Sequence, residues 1–409
     1  MEESLDELSR LVDTFGADSI ERIVQVREDF SPAYLIGKGK AHEIAGRAKQ
    51  KKIDFVIFDD DLSPVQQRNL ETTICKPVID RCGLILEIFG LHARTYEAKL
   101  QVELAKNRYL LPRLTHAWTH FSRQRGGVVV RGAGETQLEV DRRMVRRRIS
   151  MLKRKLEQVS RQRATRRKGR EAAFRVALIG YTNSGKSTLM NALTDSHVIA
   201  EDRLFATLDS TVRTITTTVP RILLTDTVGF IRKLPHSLVA SFKSTLEEVA
   251  YADLLLQVVD LSDPGWKHKI EATDQVLAEL DLDLEAKPRL LVFNKIDLLP
   301  ERSKLPALAR SVYPESVCVS GVTGEGLVDL REAIKNHFSK DWELRELELT
   351  YQRADYVRQL KQAVHVESVE YLGDKIRVFF RAPEAEYRRI ERKLAQGDGV
   401  APARVRRPR

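Results

Sequence analysis

Cysteine, methionine and tryptophan are scarce in this chain: three, four and three among 409 residues. Cys75, Cys82 and Cys318 lie far apart and show no paired spacing for a metal or a disulfide framework. They read as isolated thiols of a reducing cytoplasm, the expected location. No apolar run reaches the ~18 residues of a spanning helix, so no stable membrane insertion is expected. The opening stretch MEESLDELSR is acidic and polar, unlike a secretory signal. Internal repeats are lacking as well.

What is present is an ordinary globular balance, 42% hydrophobic and 31% charged. Such a length accommodates two to four domains with cores of their own. Net charge is +10, and one place explains it: residues 141–170 hold 14 Lys/Arg against 2 Asp/Glu. A stripe of that kind is the electrostatic footprint of a polyanion partner, or else a solvated linker helix. The last residues, APARVRRPR, add four arginines.

Along the chain, residues 20–90 alternate short apolar runs with helical stretches. IVQV (23–26), DFVIF (54–58) and PVID (77–80) read as extended, KAHEIAGRAKQKK (40–52) and SPVQQRNLETTI (63–74) as helices, the second opened by Ser63 and Pro64. That order predicts a small parallel sheet in an N-terminal α/β domain, residues 1–90. Over 91–170, Leu100, Leu104, Asn107 and Leu111 step by a helical period, as do Val145, Ile149, Leu152, Leu156 and Val159. The two narrow seams predict a long antiparallel helical hairpin. Between them lies a Gly/Arg-rich loop with Trp118 and Phe121 (115–136), expected either to stack on unpaired bases or to pack beneath the hairpin. Strand–helix alternation from about 171 to 340 predicts a P-loop GTPase domain of α/β class. Residues 345–409 read as a small C-terminal α+β domain.

The chemistry concentrates in FRVALIGYTNSGKST. A strand ends in Gly180-Tyr181-Thr182-Asn183-Ser184-Gly185-Lys186-Ser187, followed by a helix from about Thr188. Glycines let backbone N–H groups curl around phosphates, Lys186 offers a cation to the β and γ oxygens, and Ser187 offers a hydroxyl to Mg²⁺. ILLTDTVG (222–229) is a strand ending in Asp226-Thr227-Val228-Gly229; Asp226 can reach Mg²⁺ through water and the Gly229 N–H can meet a γ-phosphate. RLLVFNKID (289–297) selects the base, with Asn294 bracing loops, the Lys295 stem and Ile296 beside the base, and Asp297 accepting from guanine N1–H and N2–H₂. Adenine lacks both donors; two charge-assisted bonds amount to roughly 3–6 kcal/mol. That is on the order of 10²–10⁴ in discrimination. Ser320, Gly321 and Val322 follow a strand and can turn backbone N–H groups to guanine O6. Thr207 and Thr211 both lie where a switch threonine for Mg²⁺ should be, and spacing does not choose between them.

Further stretches carry a resemblance: YLIGKGK (34–40), FDDDLSPVQQRNLE (58–71), ILEIFGLHARTYEAKLQVELA (85–105), RGAGETQLEVDRR (131–143) and FATLDSTVR (205–213). With the GTPase motifs they make the chain similar to the HflX family of translation-factor-related GTPases over nearly its whole length. The resemblance implies that Phe205, Ala206, Thr207, Leu208 and Asp209 form the switch, with Thr207 on Mg²⁺, and that Lys186, Thr207 and Gly229 act in hydrolysis. It also implies binding to the large ribosomal subunit and its rRNA, ribosome-stimulated GTP hydrolysis to GDP, and splitting of stalled ribosomes under stress. Ser320-Gly321 departs from the commoner serine–alanine. A monomer is expected. Two rivals are an ATP-using RNA chaperone or helicase, to which the glycine- and lysine-rich IGKGK (36–40) gives slight support, and a GTP-controlled adaptor that works by binding alone.

Phe230 stands where many GTPases carry a glutamine that orients water, so slow intrinsic turnover and activation by a partner are expected. Asn183 resembles the loop asparagine of GTPases that use potassium, which makes K⁺ a candidate second cation beside Mg²⁺.

Overall fold

Two short strands, β1 (Val56–Phe58) and β2 (Val78–Asp80), pair in parallel with Val56 opposite Val78. They belong to a computed structural model that describes residues 2–26, 28–114, 137–168, 173–194, 204–205, 211–215, 222–233, 249–279, 287–300, 303–339, 342–382, 384–395 and 405–406. Contacts divide the chain into two units: Met1–Thr165 with Glu201–Asp209 and Ile231–Leu246, and Arg166–Ala200 with Ser210–Phe230 and Glu247–Arg409.

In the first unit the helices are α1 (Glu2–Phe15), α2 (Lys38–Gln50), α3 (Pro64–Ile74), α4 (Arg81–His92) and α5 (Tyr96–Leu110), followed by α6 (Gln137–Lys168). Helix α3 begins as the sequence predicts. The Ser63 hydroxyl accepts from the Gln66 N–H, the Gln66 side chain accepts from the Ser63 N–H, and Pro64 fills the first turn. Leu70, Ile74 and Val78 then close over Ala41 and Ile44 of α2. Arg81 is buried, and burial of its charge is offset by ion pairs to Glu7 and Asp59. Leu100 and Leu104 of α5 meet Leu152 of α6, with Ile149 and Leu156 alongside, so the two predicted seams do face each other.

IVQV (23–26) does not form the expected strand. Strand propensity is realised only against a partner backbone. Here the Gln25 side chain instead accepts from the Gly37 N–H at 3.2 Å, and Val24 and Val26 stay exposed. The loop with Trp118 and Phe121 lies outside the described residues.

The second unit is built on a six-stranded sheet. Its strands are β3 (Phe174–Ile179), β4 (Thr211–Thr214), β5 (Ile222–Asp226), β6 (Leu254–Asp260), β7 (Arg289–Asn294) and β8 (Val317–Cys318). Their spatial order is β4-β5-β3-β6-β7-β8, with only β4 antiparallel. The inner strands are nearly continuous apolar runs because helices cover the sheet. Val176, Leu178, Leu224, Leu256 and Val292 join Leu189 and Leu193 of α7 (Lys186–Thr194) in one core. Helices α8 (Trp266–Glu279), α9 (Leu305–Val312) and α10 (Leu327–Ser339) complete this part.

The chain then forms β9 (Glu343–Thr350), α11 (Ala354–Ala363), β10 (His365–Tyr371), β11 (Lys375–Ala382), α12 (Glu384–Ala395) and β12 (Val405–Arg406). The order β10-β11-β9-β12 makes this an antiparallel β-α-β-β-α-β piece.

Candidate functional site

The carboxyl ends of β3, β5, β6 and β7 converge on one loop. Gly180 leaves β3 at φ +142°, and a β-carbon there would fall 2.2 Å from the Val258 carbonyl oxygen. Gly185 closes the loop at φ +88°, where a β-carbon would fall 2.3 Å from Asn294 Nδ2. Both positions admit glycine alone. Between them Asn183 takes a left-handed turn (φ 59°), which asparagine tolerates better than most residues. Two buried hydroxyls of the loop, Thr182 Oγ1 and Ser184 Oγ, have no hydrogen-bond partner among the described residues.

Helix α7 starts at Lys186, two residues before the expected Thr188, so the loop lysine and Ser187 form its first turn. An anion seated in the loop faces the positive end of this helix. Lys186 is buried and donates to the Gly180 and Tyr181 carbonyls at 3.2 and 2.7 Å. Burial pushes its pKa down to about 8; Asp226 works against this, while the charge of Lys295 adds to it. Ser187 Oγ donates to Asp226 Oδ2 at 2.6 Å. This hydroxyl–carboxylate pair is hard-oxygen chemistry and fits Mg²⁺.

After Asp226, Thr227 donates to the Leu178 carbonyl at 2.6 Å, and Val228 is buried. Gly229 lies against the loop: a β-carbon would come within 2.8 Å of Thr182 Cα and 3.0 Å of Lys186 Nζ. The Phe230 N–H then donates to the Gly180 carbonyl (3.0 Å), and its carbonyl accepts from the Thr182 N–H (2.7 Å). Its ring is 3% exposed.

On the base side, Asn294 Nδ2 donates to the Ser184 carbonyl at 2.9 Å, and its Oδ1 accepts from the Gly321 N–H at 3.0 Å. Asn294 thus braces two loops, as its spacing implied. Lys295 turns left-handed (φ 64°) into the short 3₁₀ turn Ile296–Leu298, leaving Asp297 exposed. Ser320 is fully buried; its hydroxyl accepts from the Val322 and Thr323 N–H groups, and its own N–H donates to the Glu325 carbonyl at 2.9 Å. The Ser320 N–H and the Gly321 N–H are both engaged inside the protein, by the Glu325 carbonyl and by Asn294 Oδ1.

Phe205 belongs to the first unit, where its ring meets Phe89 edge-on at 4.6 Å. In that unit Lys233 pairs with Asp59 and Asp60 at 3.0 and 2.6 Å. Thr211, the alternative switch threonine, opens β4 opposite Asp226. Ala206, Thr207, Leu208 and Asp209 lie outside the described residues. One residue escaped the sequence reading: Asp260, at the end of β6, pairs with Lys295 Nζ at 2.8 Å.

A phosphate-type loop, a hydroxyl–carboxylate pair at its mouth and an Asn-Lys-x-Asp turn, all on strand ends of one parallel sheet, define a P-loop GTPase. Three family models match: GTP-binding GTPase N-terminal (residues 2–90), GTP-binding GTPase Middle Region (92–170) and 50S ribosome-binding GTPase (175–295). The curated "GTPase HflX" of Magnetococcus marinus is 50% identical over 341 residues, 81% of this chain and 77% of that protein. That of Escherichia coli is 44% identical over 393 residues, 95% and 92% respectively. The chain belongs to the HflX GTPase family and is a GTP hydrolase. Among solved structures, a GTP-binding protein from Sulfolobus solfataricus in complex with GDP is 26% identical, covering 82% of this chain and 95% of that one, with a TM-score of 0.44. Among the described residues no helix is long and apolar enough to cross a membrane.

Proposed function

We propose that this GTPase binds the large ribosomal subunit through rRNA and separates the subunits of stalled ribosomes under stress, its hydrolysis accelerated by the ribosome. The observation that carries the rRNA contact is the placement of the basic run. It lies on α6, where Arg146, Arg147, Arg148, Lys153 and Arg154 are exposed. Among the described residues, Arg148 alone of these pairs with a carboxylate, that of Glu103 at 2.5 Å. Closely spaced cations on one helix are the electrostatic footprint of a phosphate-backbone partner. The family model's description, a 50S ribosome-binding GTPase, supports the same partner.

Within this reading the loop from Gly180 to Thr188 cradles GTP or GDP, with Lys186 against the β and γ oxygens. Ser187, Thr207 and Asp226 would hold Mg²⁺, Asp226 through water. When bound, Mg²⁺ neutralises charge developing between the β- and γ-phosphates. The Gly229 N–H senses the γ-phosphate, Asp297 selects guanine, and Asn183 would offer its amide oxygen to K⁺. Phe230 can neither orient nor polarise water, so a ribosome that positions water or adds charge would supply the missing help, worth about 10³–10⁵-fold in comparable cases. The protein acts as a monomer in the cytoplasm.

A sedimentation profile of ribosomes with the protein plus GTP, GDP or a non-hydrolysable analogue tests the proposal. Loss of the intact ribosome peak with GTP or the analogue, and not with GDP, is the expected result; an unchanged profile in all three overturns splitting. ATP-driven RNA unwinding that persists in an Asp297→Asn variant would favour the helicase reading instead.

A further inference from the structure

Lys295 is held in a conformation that lysine rarely adopts. Its φ of 64° reverses the backbone directly after β7, and a non-glycine residue there needs surrounding contacts to keep it. Backbone bonds supply some of these: the Ile296 N–H donates to the Val319 carbonyl at 3.3 Å, and the Leu298 N–H to the Lys295 carbonyl at 3.1 Å. Neither restrains the side chain. Among the described residues, the Lys295 ammonium pairs with the Asp260 carboxylate alone.

Asp260 is itself tightly oriented. In the parallel register it lies opposite Asn294, and the Leu261 N–H donates to the Asn294 carbonyl at 3.0 Å. One carboxylate oxygen, Oδ1, accepts from the Ser262 N–H (3.0 Å) and hydroxyl (2.5 Å). That turn aims the other oxygen, Oδ2, at Lys295 Nζ, 2.8 Å away. The side chains are only 22% and 15% exposed, so water screens the pair weakly.

We propose that Asp260 is a positioning residue for guanine nucleotide binding: by tethering the Lys295 ammonium it lays the lysine stem flat as one wall of the base pocket. The stem approaches the phosphate loop as well, since a β-carbon on Gly185 would lie 3.9 Å from Lys295 Cε. Untethered, the ammonium would swing freely, and ordering a long side chain on each binding event costs free energy that the tether removes beforehand.

This inference rests on the reading of Asn294–Asp297 as the base-recognition turn. The test uses the full-length protein with Mg²⁺ and the fluorescent probe mant-GDP. Asp260→Asn keeps an acceptor for Ser262 and removes the charge. It should raise the mant-GDP dissociation constant about tenfold, mainly through faster release, the low end for a charge-assisted bond. Lys295→Met should weaken binding similarly, and the double variant should lose about tenfold, not a hundredfold, because both changes break one interaction. Displacement of the probe by inorganic triphosphate, which has no base, should give the same triphosphate affinity in Asp260→Asn as in the parent. Ser262→Ala, which removes one of the two bonds that aim the carboxylate, should raise the mant-GDP dissociation constant by less than Asp260→Asn does. Unchanged binding in Asp260→Asn, or losses that multiply in the double variant, overturns the inference. Asp297→Asn separates the two levels: if it abolishes guanine preference while Asp260→Asn does nothing, the base-recognition reading stands and the tether fails; if neither affects binding, the base-recognition reading fails first.

Discussion

Phe230 and Tyr181 form a parallel β-bridge, the Phe230 N–H donating to the Gly180 carbonyl and the Thr182 N–H to the Phe230 carbonyl. The bridge lengthens the β3–β5 ladder into the phosphate loop itself. Phe230 is thereby tied by its backbone to the loop, and its ring is buried. Glutamine at this position would bring a polar side chain into that buried place, at a cost of about 1–3 kcal/mol unless it found partners. The packing role of Phe230 and a slow unassisted reaction are therefore compatible. Phe230→Ala should destabilise the fold by about 3 kcal/mol, as large-to-small changes at buried aromatics do. Chemical denaturation checks this, and a loss below about 1 kcal/mol would contradict the packing seen here.

Lys186 gives a prediction for pH. Burial lowers its pKa to about 8 in the nucleotide-free protein. A phosphate beside the ammonium favours the charged form and raises the pKa. The complex then binds more protons than the free protein above pH 8, so affinity for GDP falls as pH rises beyond that value. Below it the lysine is charged in both states and affinity is flat with respect to this group. Calorimetry at pH 8.5 in buffers of different ionisation enthalpy should reveal proton uptake; its absence would rule the linkage out.

Gly180→Ala should be severe. A methyl group at φ +142° meets the Val258 carbonyl oxygen at 2.2 Å, and both partners are backbone with no room to yield. Backbone strain alone accounts for about 1–3 kcal/mol. Thermal unfolding should show a clearly lowered midpoint together with lost GDP binding, and a variant with parental Tm and affinity would refute the geometry.

Asn183 makes the choice of monovalent cation testable. If it ligates potassium near the reacting phosphates, hydrolysis should run about tenfold or more faster in K⁺ than in Na⁺, the scale of one well-placed stabilising charge. Asn183→Ala should erase the difference. Equal rates in the two salts, with and without ribosomes, would dispose of the idea.

Replacing Arg146, Arg147, Arg148, Lys153, Arg154 and Lys155 by neutral residues should weaken ribosome binding and flatten its salt dependence. Each lost phosphate contact lowers the log–log slope by about 0.7–0.9. An unaltered slope across a salt series would show that α6 does not carry the contact.

Much of this site was legible in the sequence because its geometry is local. The two glycines, the lysine and the serine act through backbone turns within a few positions, and Asn294 reaches its targets from a strand end that an apolar run announces. Asp260 was not legible. It precedes Lys295 by 35 residues and meets it only because β6 and β7 pair in one particular register. IVQV misled for the opposite reason, since its composition favours extension while the fold provides no neighbouring strand. The partners of the Ser320 and Gly321 N–H groups, Glu325 and Asn294, were not legible, because they are set by how a loop closes rather than by the motif.

Asn294 joins the Ser184 carbonyl to the Gly321 N–H with a single amide, and this concentrates two structural duties in one side chain. Losing that amide would loosen the phosphate and purine sides of the site together.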